Sequence, residues 1–422
     1  MKSLNIALMH YSCPPVVGGV EEVVRQQASL FHRYFHKVKI FAGAGAQFTK
    51  EYPVEINPLL GSRHPRVQRA HQKLLQGDPT GVEKLAGEIF TYLSQSLLDF
   101  DVLIAHNILT MRYNLPLTLA VLRLAEEQRL PVISWNHDSP YFYQDVPDHL
   151  LHPPWNVLHR AHPNVFYVAI SESRRRQFCN IYGDKCNIAV IPNGVDPIRF
   201  FQMDTATVRL IREEALFLAD FLLVQPSRLH PRKNIELSIR VTRALQDRDV
   251  GARLLVSGAY DPHEPKTVDY YRRLISLARE LNIQRDVLIM AEYTFRSGEK
   301  LTADRITMRD LYLIADVLFL PSWQEGFGIP LLEAGMIKLP IACSSIPPFR
   351  EIGGQEVCFF DPDEPPESIA EKLMAFVKGC TTQRFFRRVI REYSWDNIYA
   401  FQLKPFLQEV LAAFRQRKEA AR

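Results

Sequence analysis

The sequence predicts an α/β protein of two doubly wound domains in tandem, and three observations carry that expectation. Short apolar runs alternate with stretches of helical spacing, first between residues 4 and 171 and again between 221 and 345. The runs are apolar at nearly every residue, as strands covered on both faces of a parallel sheet are. The 422 residues also exceed one domain of roughly 100–200 residues and leave room for two cores.

In order, the first series is LNIALMHYS (4–12), KVKIFAG (37–43), DVLIAHN (101–107), PVISWNHD (131–138) and VFYVAIS (165–171). Between the first two, Val20, Val23, Val24, Ala28, Phe31, Tyr34 and Phe35 keep the period of an amphipathic crossover helix. Strand, helix, strand in that alternation marks a parallel sheet. Pro197 and the charges around it interrupt the pattern, so the boundary is expected near 195–215, with domains over 1–200 and 201–393. The second series is FLLVQPSRL (221–229), ARLLVSGA (252–259), VLIMAE (287–292), VLFLPS (317–322) and PIACSS (340–345), with NIELSIRVTRALQ, YYRRLISLARELN and DLYLIA as helical pieces. Residues 394–422 read as a long helix opened by Ser394 and kinked or interrupted at Pro405.

Composition narrows the function. A net charge of +4 with acids beside the bases does not point to nucleic acid. The one basic cluster, GSRHPRVQRAHQK (61–73), holds Arg63, Arg66, Arg69 and Lys73. It reads as a solvated loop, or else as a site for an anionic acceptor or lipid headgroup. The cysteines at 13, 179, 186, 343, 358 and 380 lack CxxC spacing and suit reduced, buried thiols in a cytoplasmic protein. No signal-peptide core opens the chain and no run approaches 18 apolar residues, although peripheral contact with the inner face of a membrane stays open.

In open α/β sheets ligands sit beyond the carboxyl ends of the strands. CPPVVGGVEE (13–22) follows the first strand, and Gly18 and Gly19 there would allow unusual backbone angles and let a ligand approach a helix start. A tight turn would carry the same residues. SRLHPRKN (227–234) places Arg228 and Lys233 around Pro231, two cations on a stiff loop that suit a diphosphate, or a solvated basic turn. QEGFGIPLLEA (324–334) follows the strand VLFLPS. Gly326 and Gly328 expose backbone N–H groups, Pro330 suits a first helical turn, and Glu325 and Glu333 flank the loop. Two carboxylates beside an anion site suit a ligand with phosphate and several hydroxyls, as in a nucleotide sugar.

EGFGIPLLEA resembles the E-x7-E signature of the family 4 retaining glycosyltransferases, whose fold is GT-B: two Rossmann-like domains facing each other across a cleft. Similar segments recur in family order along nearly the whole chain, among them GGVE, NHD, AISESRRRQF, VIPNGVD, SRLHPRKN, LLVSGAYD, SSIPPFREIGG and YSWDNIY. The resemblance implies an acceptor-binding first domain, a second domain that binds the nucleotide sugar, and a C-terminal helix crossing back to the first. It implies that Glu325 contacts hydroxyls of the donor sugar and Glu333 those of the ribose. Arg228 and Lys233 would bind the diphosphate, Gly18 and Gly19 would approach it, and the backbone of Phe327, Gly328, Ile329, Pro330 and Leu331 would complete the cradle. His137 matches the family histidine beside the sugar, although His10 and His106 end strands too.

The implied reaction is hexosyl transfer from a nucleoside diphosphate sugar, GDP-mannose or UDP-glucose foremost, to a hydroxyl of a sugar, sugar phosphate or lipid-linked glycan. It needs no metal or cofactor. Lys338 stands where relatives carry glycine, so the helix end there must be capped differently. A nucleotide-sugar epimerase or hydrolase, or a silent binding subunit, would share most of these residues. A dehydrogenase reading rests on FAGAGAQF (41–48), where Phe48 takes the place of the third glycine.

Overall fold

A computed structural model describes residues 2–183, 187–258, 267–302 and 304–420. Cys186 and the end of the LLVSGAYD segment lie outside the described residues. The chain divides into two compact units, Met1–Asp196 with Tyr393–Arg422, and Pro197–Glu392.

The first unit holds seven strands: β1 (Asn5–His10), β2 (Lys37–Ala42), β3 (Val54–Ile56), β4 (Val102–His106), β5 (Val132–Asn136), β6 (Val165–Ala169) and β7 (Ile188–Val190). They pair in parallel in the order β3-β2-β1-β4-β5-β6-β7. Alternation along each strand feeds two cores. Ala7, Met9, Leu103, Ala105 and Val132 pack on one face, against helices Thr80–Ser96 and Leu115–Glu126. Ile6, Leu8, Ile104, Ile133 and Trp135 pack on the other, against helix Gly19–Arg33 and Trp395, Ile398, Leu403 and Leu407 of the C-terminal segment.

The second unit holds β8 (Phe221–Gln225), β9 (Ala252–Val256), β10 (Val287–Ile289), β11 (Val317–Leu320), β12 (Ile341–Ser344) and β13 (Cys358–Phe360). Their order is β10-β9-β8-β11-β12-β13, again parallel throughout. Each sheet reverses its strand order beside its first strand, β1 or β8, which is where a doubly wound sheet opens a crevice at its carboxyl edge. Among the described residues no helix is long and apolar enough to cross a membrane.

Several expectations need correcting. The basic stretch 61–73 is not a loop: Pro65–Leu75 is a helix whose first turn is capped by the His64 ring, which accepts from the Arg66 N–H at 3.3 Å. Val67 and Ala70, three apart, are buried and fix its inner face, while Arg66 forks onto Glu88 at 3.0 and 2.6 Å. The C-terminal segment is interrupted before Pro405 rather than at it. Tyr399–Leu403 forms a π turn in which the Lys404 N–H reaches back to the Tyr399 carbonyl. Proline has no N–H to give and its ring crowds the preceding turn, so the wider turn accommodates it. Lys338 caps its helix as a glycine would, at φ +62, with the Leu339 N–H on the Ala334 carbonyl at 3.0 Å.

Candidate functional site

At the carboxyl edge of the second sheet, the loop after β8 is held stiffly. Gln225 ends the strand with its Nε2 donating to the Lys233 carbonyl at 2.9 Å and its Oε1 accepting from Ser238 at 2.6 Å. The Ser227 carbonyl accepts from the Gly258 N–H and the Ser257 hydroxyl, both at 3.0 Å. Pro231 starts a single 3-10 turn that the His230 ring caps, and Asn234 at φ +50 turns the chain into helix Ile235–Gln246. Lys233 is thereby presented to the loop after β11, which the Trp323 N–H ties to the Arg232 carbonyl at 2.8 Å.

Lys233 Nζ donates to Glu325 Oε1, and Ser322 Oγ donates to the same oxygen at 2.8 Å. Both side chains of the pair are 15% exposed. Among the described residues Glu325 Oε2 takes no hydrogen bond. Three residues on, Gly328 has φ +126, and a Cβ there would stand 3.1 Å from the Phe349 ring, so the loop needs a glycine at this position. Gly326 has no such need, since a Cβ would meet nothing. Helix Ile329–Met336 starts with Pro330 in its first turn, Leu331 buried beneath it and Glu333 on its second turn. Phe327 and Ile329 are exposed.

Glu333 Oε2 accepts from the Tyr312 hydroxyl at 2.9 Å. Burial, and then the nearby carboxylate, push the Tyr312 hydroxyl far above its ordinary range, so it remains a donor. A cavity of about 1020 Å³ opens here, lined by Arg228, Tyr312 and Glu333 with Asp304, Arg305 and Arg309, and by Pro226, Met308, Met336 and Ile337 on its apolar side. The structure thus brings Arg228 and Glu333 to one cavity, and Lys233 and Glu325 to an ion pair outside its lining. Sequence reading missed Tyr312, Arg305 and Arg309. Tyr312 stands in DLYLIA, 21 residues before its partner, and only the packing of two helices beside β11 joins them.

In the first unit, Gly18 and Gly19 do not serve the backbone as expected. Gly18 is extended at φ −173, and a Cβ on Gly19 would meet nothing. A Cβ on Gly18 would lie 2.0 Å from Glu21 Oε2, because the Glu21 carboxylate folds back over the helix start. Glu21 Oε1 accepts from Ser12 at 2.5 Å and stands 3.8 Å from His10 Nε2.

The histidines at the strand ends form one network. His10 Nδ1 meets the His106 carbonyl at 2.9 Å, and His106 Nδ1 meets His137 Nε2 at 3.1 Å. Asn107, at φ +59, accepts the His137 N–H at 2.8 Å through its Oδ1, and Asn193 Nδ2 stands 3.3 Å from His137 Nδ1. Burial, and then His10, pull His137 down to about 3, so its ring is neutral at neutral pH and hydrogen-bonds rather than shuttles protons. Burial likewise lowers His10 and holds His106 well below the usual histidine range. No group of three or more His, Cys, Asp or Glu among the described residues is placed to hold a metal ion.

Two Rossmann-like units, the second with cations and half-used carboxylates at its carboxyl edge, define the class of a GT-B protein. Residues 17–199 match the family described as Glycosyltransferase Family 4 and residues 209–391 that described as Glycosyl transferases group 1. The chain belongs to glycosyltransferase family 4. It is similar to the mannosylglucosylglycerate synthase of Petrotoga mobilis, 23% identical over 64% of this chain and 65% of that protein. It is also similar to an uncharacterized glycosyltransferase of Methanocaldococcus jannaschii, 28% identical over 55% of this chain and 57% of that one. The matched segments cover less than two thirds of either relative's length. Among solved structures, sucrose-phosphate synthase from Thermosynechococcus elongatus aligns over 97% of this chain and 100% of its own at 16% identity, with a TM-score of 0.41.

Proposed function

We propose that the protein transfers a hexosyl group from a nucleoside diphosphate sugar to an acceptor hydroxyl, with retention at the anomeric carbon and without a metal or other cofactor. The observation that carries this reading is the pair of carboxylates at the carboxyl edge of the second sheet, each spending one oxygen on a protein donor. Glu325 Oε1 serves Lys233 and Ser322, and Glu333 Oε2 serves Tyr312. Their other oxygens take no hydrogen bond among the described residues and suit hydroxyls, Glu333 toward a ribose and Glu325 toward a sugar. Arg228, beside Glu333, and Lys233, beside Glu325, suit the diphosphate between those two rings.

As the bond to the diphosphate breaks, negative charge builds on the leaving oxygen. Arg228 and Lys233 stabilise that charge as it develops, and Lys233 is already oriented by Glu325. A departing phosphate oxygen then helps take the acceptor proton, and Glu325 positions rather than attacks. Neutral His137 serves as a hydrogen-bonding group beside the sugar.

The test starts with a thermal-shift screen of nucleotide sugars, GDP-mannose and UDP-glucose first, followed by transfer assays with and without acceptor. Glu325→Ala should cost about 10²–10³ in turnover, the scale of one lost transition-state contact, while calorimetry still detects the nucleoside diphosphate. Full turnover by Glu325→Ala would refute its role, and sugar release that ignores the acceptor would refute transfer.

A further inference from the structure

His10 and His106 close β1 and β4, and His137 directly follows β5, the next strand of the sheet. Alternation from Leu8, Ile104 and Trp135 puts all three on the face that packs against helix Gly19–Arg33. Two of their contacts bear on where the protons sit. A carbonyl only accepts, so His10 Nδ1 carries its hydrogen toward the His106 carbonyl, 2.9 Å away. The Asn193 amide is turned so that Nδ2 faces the ring at 3.3 Å, and in that orientation His137 Nδ1 is an acceptor, because an amide nitrogen only donates.

A neutral imidazole has one N–H. That of His137 therefore sits on Nε2 and points at His106 Nδ1, 3.1 Å away. His106 Nδ1 must accept, which sends its own hydrogen to Nε2, a buried atom with no partner among the described residues. An unpartnered buried N–H is costly, and its persistence asks for a reason.

We propose that His106 is a positioning residue that locks His137 in the tautomer with its hydrogen on Nε2, leaving Nδ1 as a hydrogen-bond acceptor at the carboxyl edge of the first sheet. The proposal rests on the reading of the chain as a sugar transferase with His137 beside the sugar. A sugar hydroxyl would donate to Nδ1 in place of the Asn193 amide, which holds that position weakly: its contact is long, and its Oδ1 is buried without a partner among the described residues. The opposite tautomer would set an N–H against the hydroxyl hydrogen. His10, through the His106 carbonyl, and Asn107, through the His137 N–H, hold the two rings in register from either side.

The experiment uses the full chain labelled with ¹⁵N-histidine, whose two ring nitrogens report the tautomer by NMR near neutral pH. Wild type should show His137 with Nε2 protonated and Nδ1 bare. His106→Leu removes the acceptor, so His137 should become a mixture of tautomers and donor-saturated turnover should fall about tenfold, the scale of one hydrogen bond, with the donor KM little changed. His106→Asn, whose side-chain oxygen can stand where Nδ1 stood, should restore both readouts.

A wild-type His137 protonated on Nδ1 overturns the proposal, as does a folded His106→Leu protein with an unchanged tautomer and full turnover. The wild-type spectrum decides even if the leucine variant fails to fold. Because the tautomer is read without turnover, an inactive wild type would sink the transferase reading while the spectrum still judges His106.

Discussion

Lys338 holds a left-handed backbone at φ +62 at the end of helix Ile329–Met336, an angle that costs a residue with a Cβ about 1–2 kcal/mol. Its side chain is exposed, and the bond that closes the helix comes from the Leu339 backbone, not from the lysine ammonium. Lys338→Gly should therefore stabilise the second unit by about 1 kcal/mol, read as a higher urea midpoint at unchanged slope, and Lys338→Val should lower it. A glycine variant no more stable than wild type would mean the lysine side chain offsets the strain. At this scale the sequence was legible where one segment carries its own chemistry, as Glu325, Gly328 and Glu333 do within ten residues. It was silent where partners are distant in the chain. Nothing in DLYLIA marks Tyr312 as the donor to Glu333, 21 residues on.

Two segments border the division between the units, and within the first unit they are joined to each other and to one helix. The Val195 N–H donates to the Tyr393 carbonyl at 2.7 Å and the Trp395 N–H to the Val195 carbonyl at 3.0 Å. Arg33, the last residue of helix Gly19–Arg33, spreads its fork over both: Nη2 to Asp196 at 2.5 Å and Nη1 to Asp396 at 2.6 Å. Removing the guanidinium would leave two carboxylates without their main cation in a site where Arg33 is 11% exposed. Arg33→Met should cost the first unit about 3–5 kcal/mol, and Arg33→Lys should recover only part, because one ammonium cannot grip two carboxylates as a planar fork does. Denaturant unfolding measures this, and a loss within about 0.5 kcal/mol, the range of an ordinary surface change, would show the clamp to be idle. Elements were legible in proportion to their burial. The interior strands announce themselves as apolar runs, whereas β3, β7 and β13 are three-residue edge strands with half-exposed residues. β10 is also an edge of three residues, yet Val287–Met290 is an unbroken apolar run and shows it.

Across the whole molecule, histidine is distributed unevenly. Of thirteen, only His230 and His263 fall between residues 197 and 392. Burial lowers His10, His36, His71, His106, His137, His159 and His162, and every one belongs to the first unit. A histidine held neutral in the fold but free to charge in the unfolded chain makes the unfolded state bind more protons, so stability rises with pH across the gap between the two values. For these residues the gap opens at the ordinary value near 6.5 and extends down to about 4 for His71 and about 3 for His137. Above it nothing is lost; as pH falls through it, each deeply buried member of the His10, His106 and His137 network withdraws on the order of 1.4 kcal/mol per pH unit. The carboxylates lowered by their ion pairs, such as Glu88 beside Arg66, add their loss only below the ordinary carboxylate range. The first unit should therefore unfold on mild acidification while the second persists. Trp135, Trp155 and Trp395 lie in the first unit and Trp323 in the second, so the fluorescence of a Trp323→Phe variant follows the first unit by itself. Its urea midpoint should fall steeply from about pH 6.5 to about pH 5, with a shallower change in the ellipticity that both units share. A fluorescence midpoint that stays level over that interval would contradict a neutral histidine network, and with it the tautomer assigned to His137.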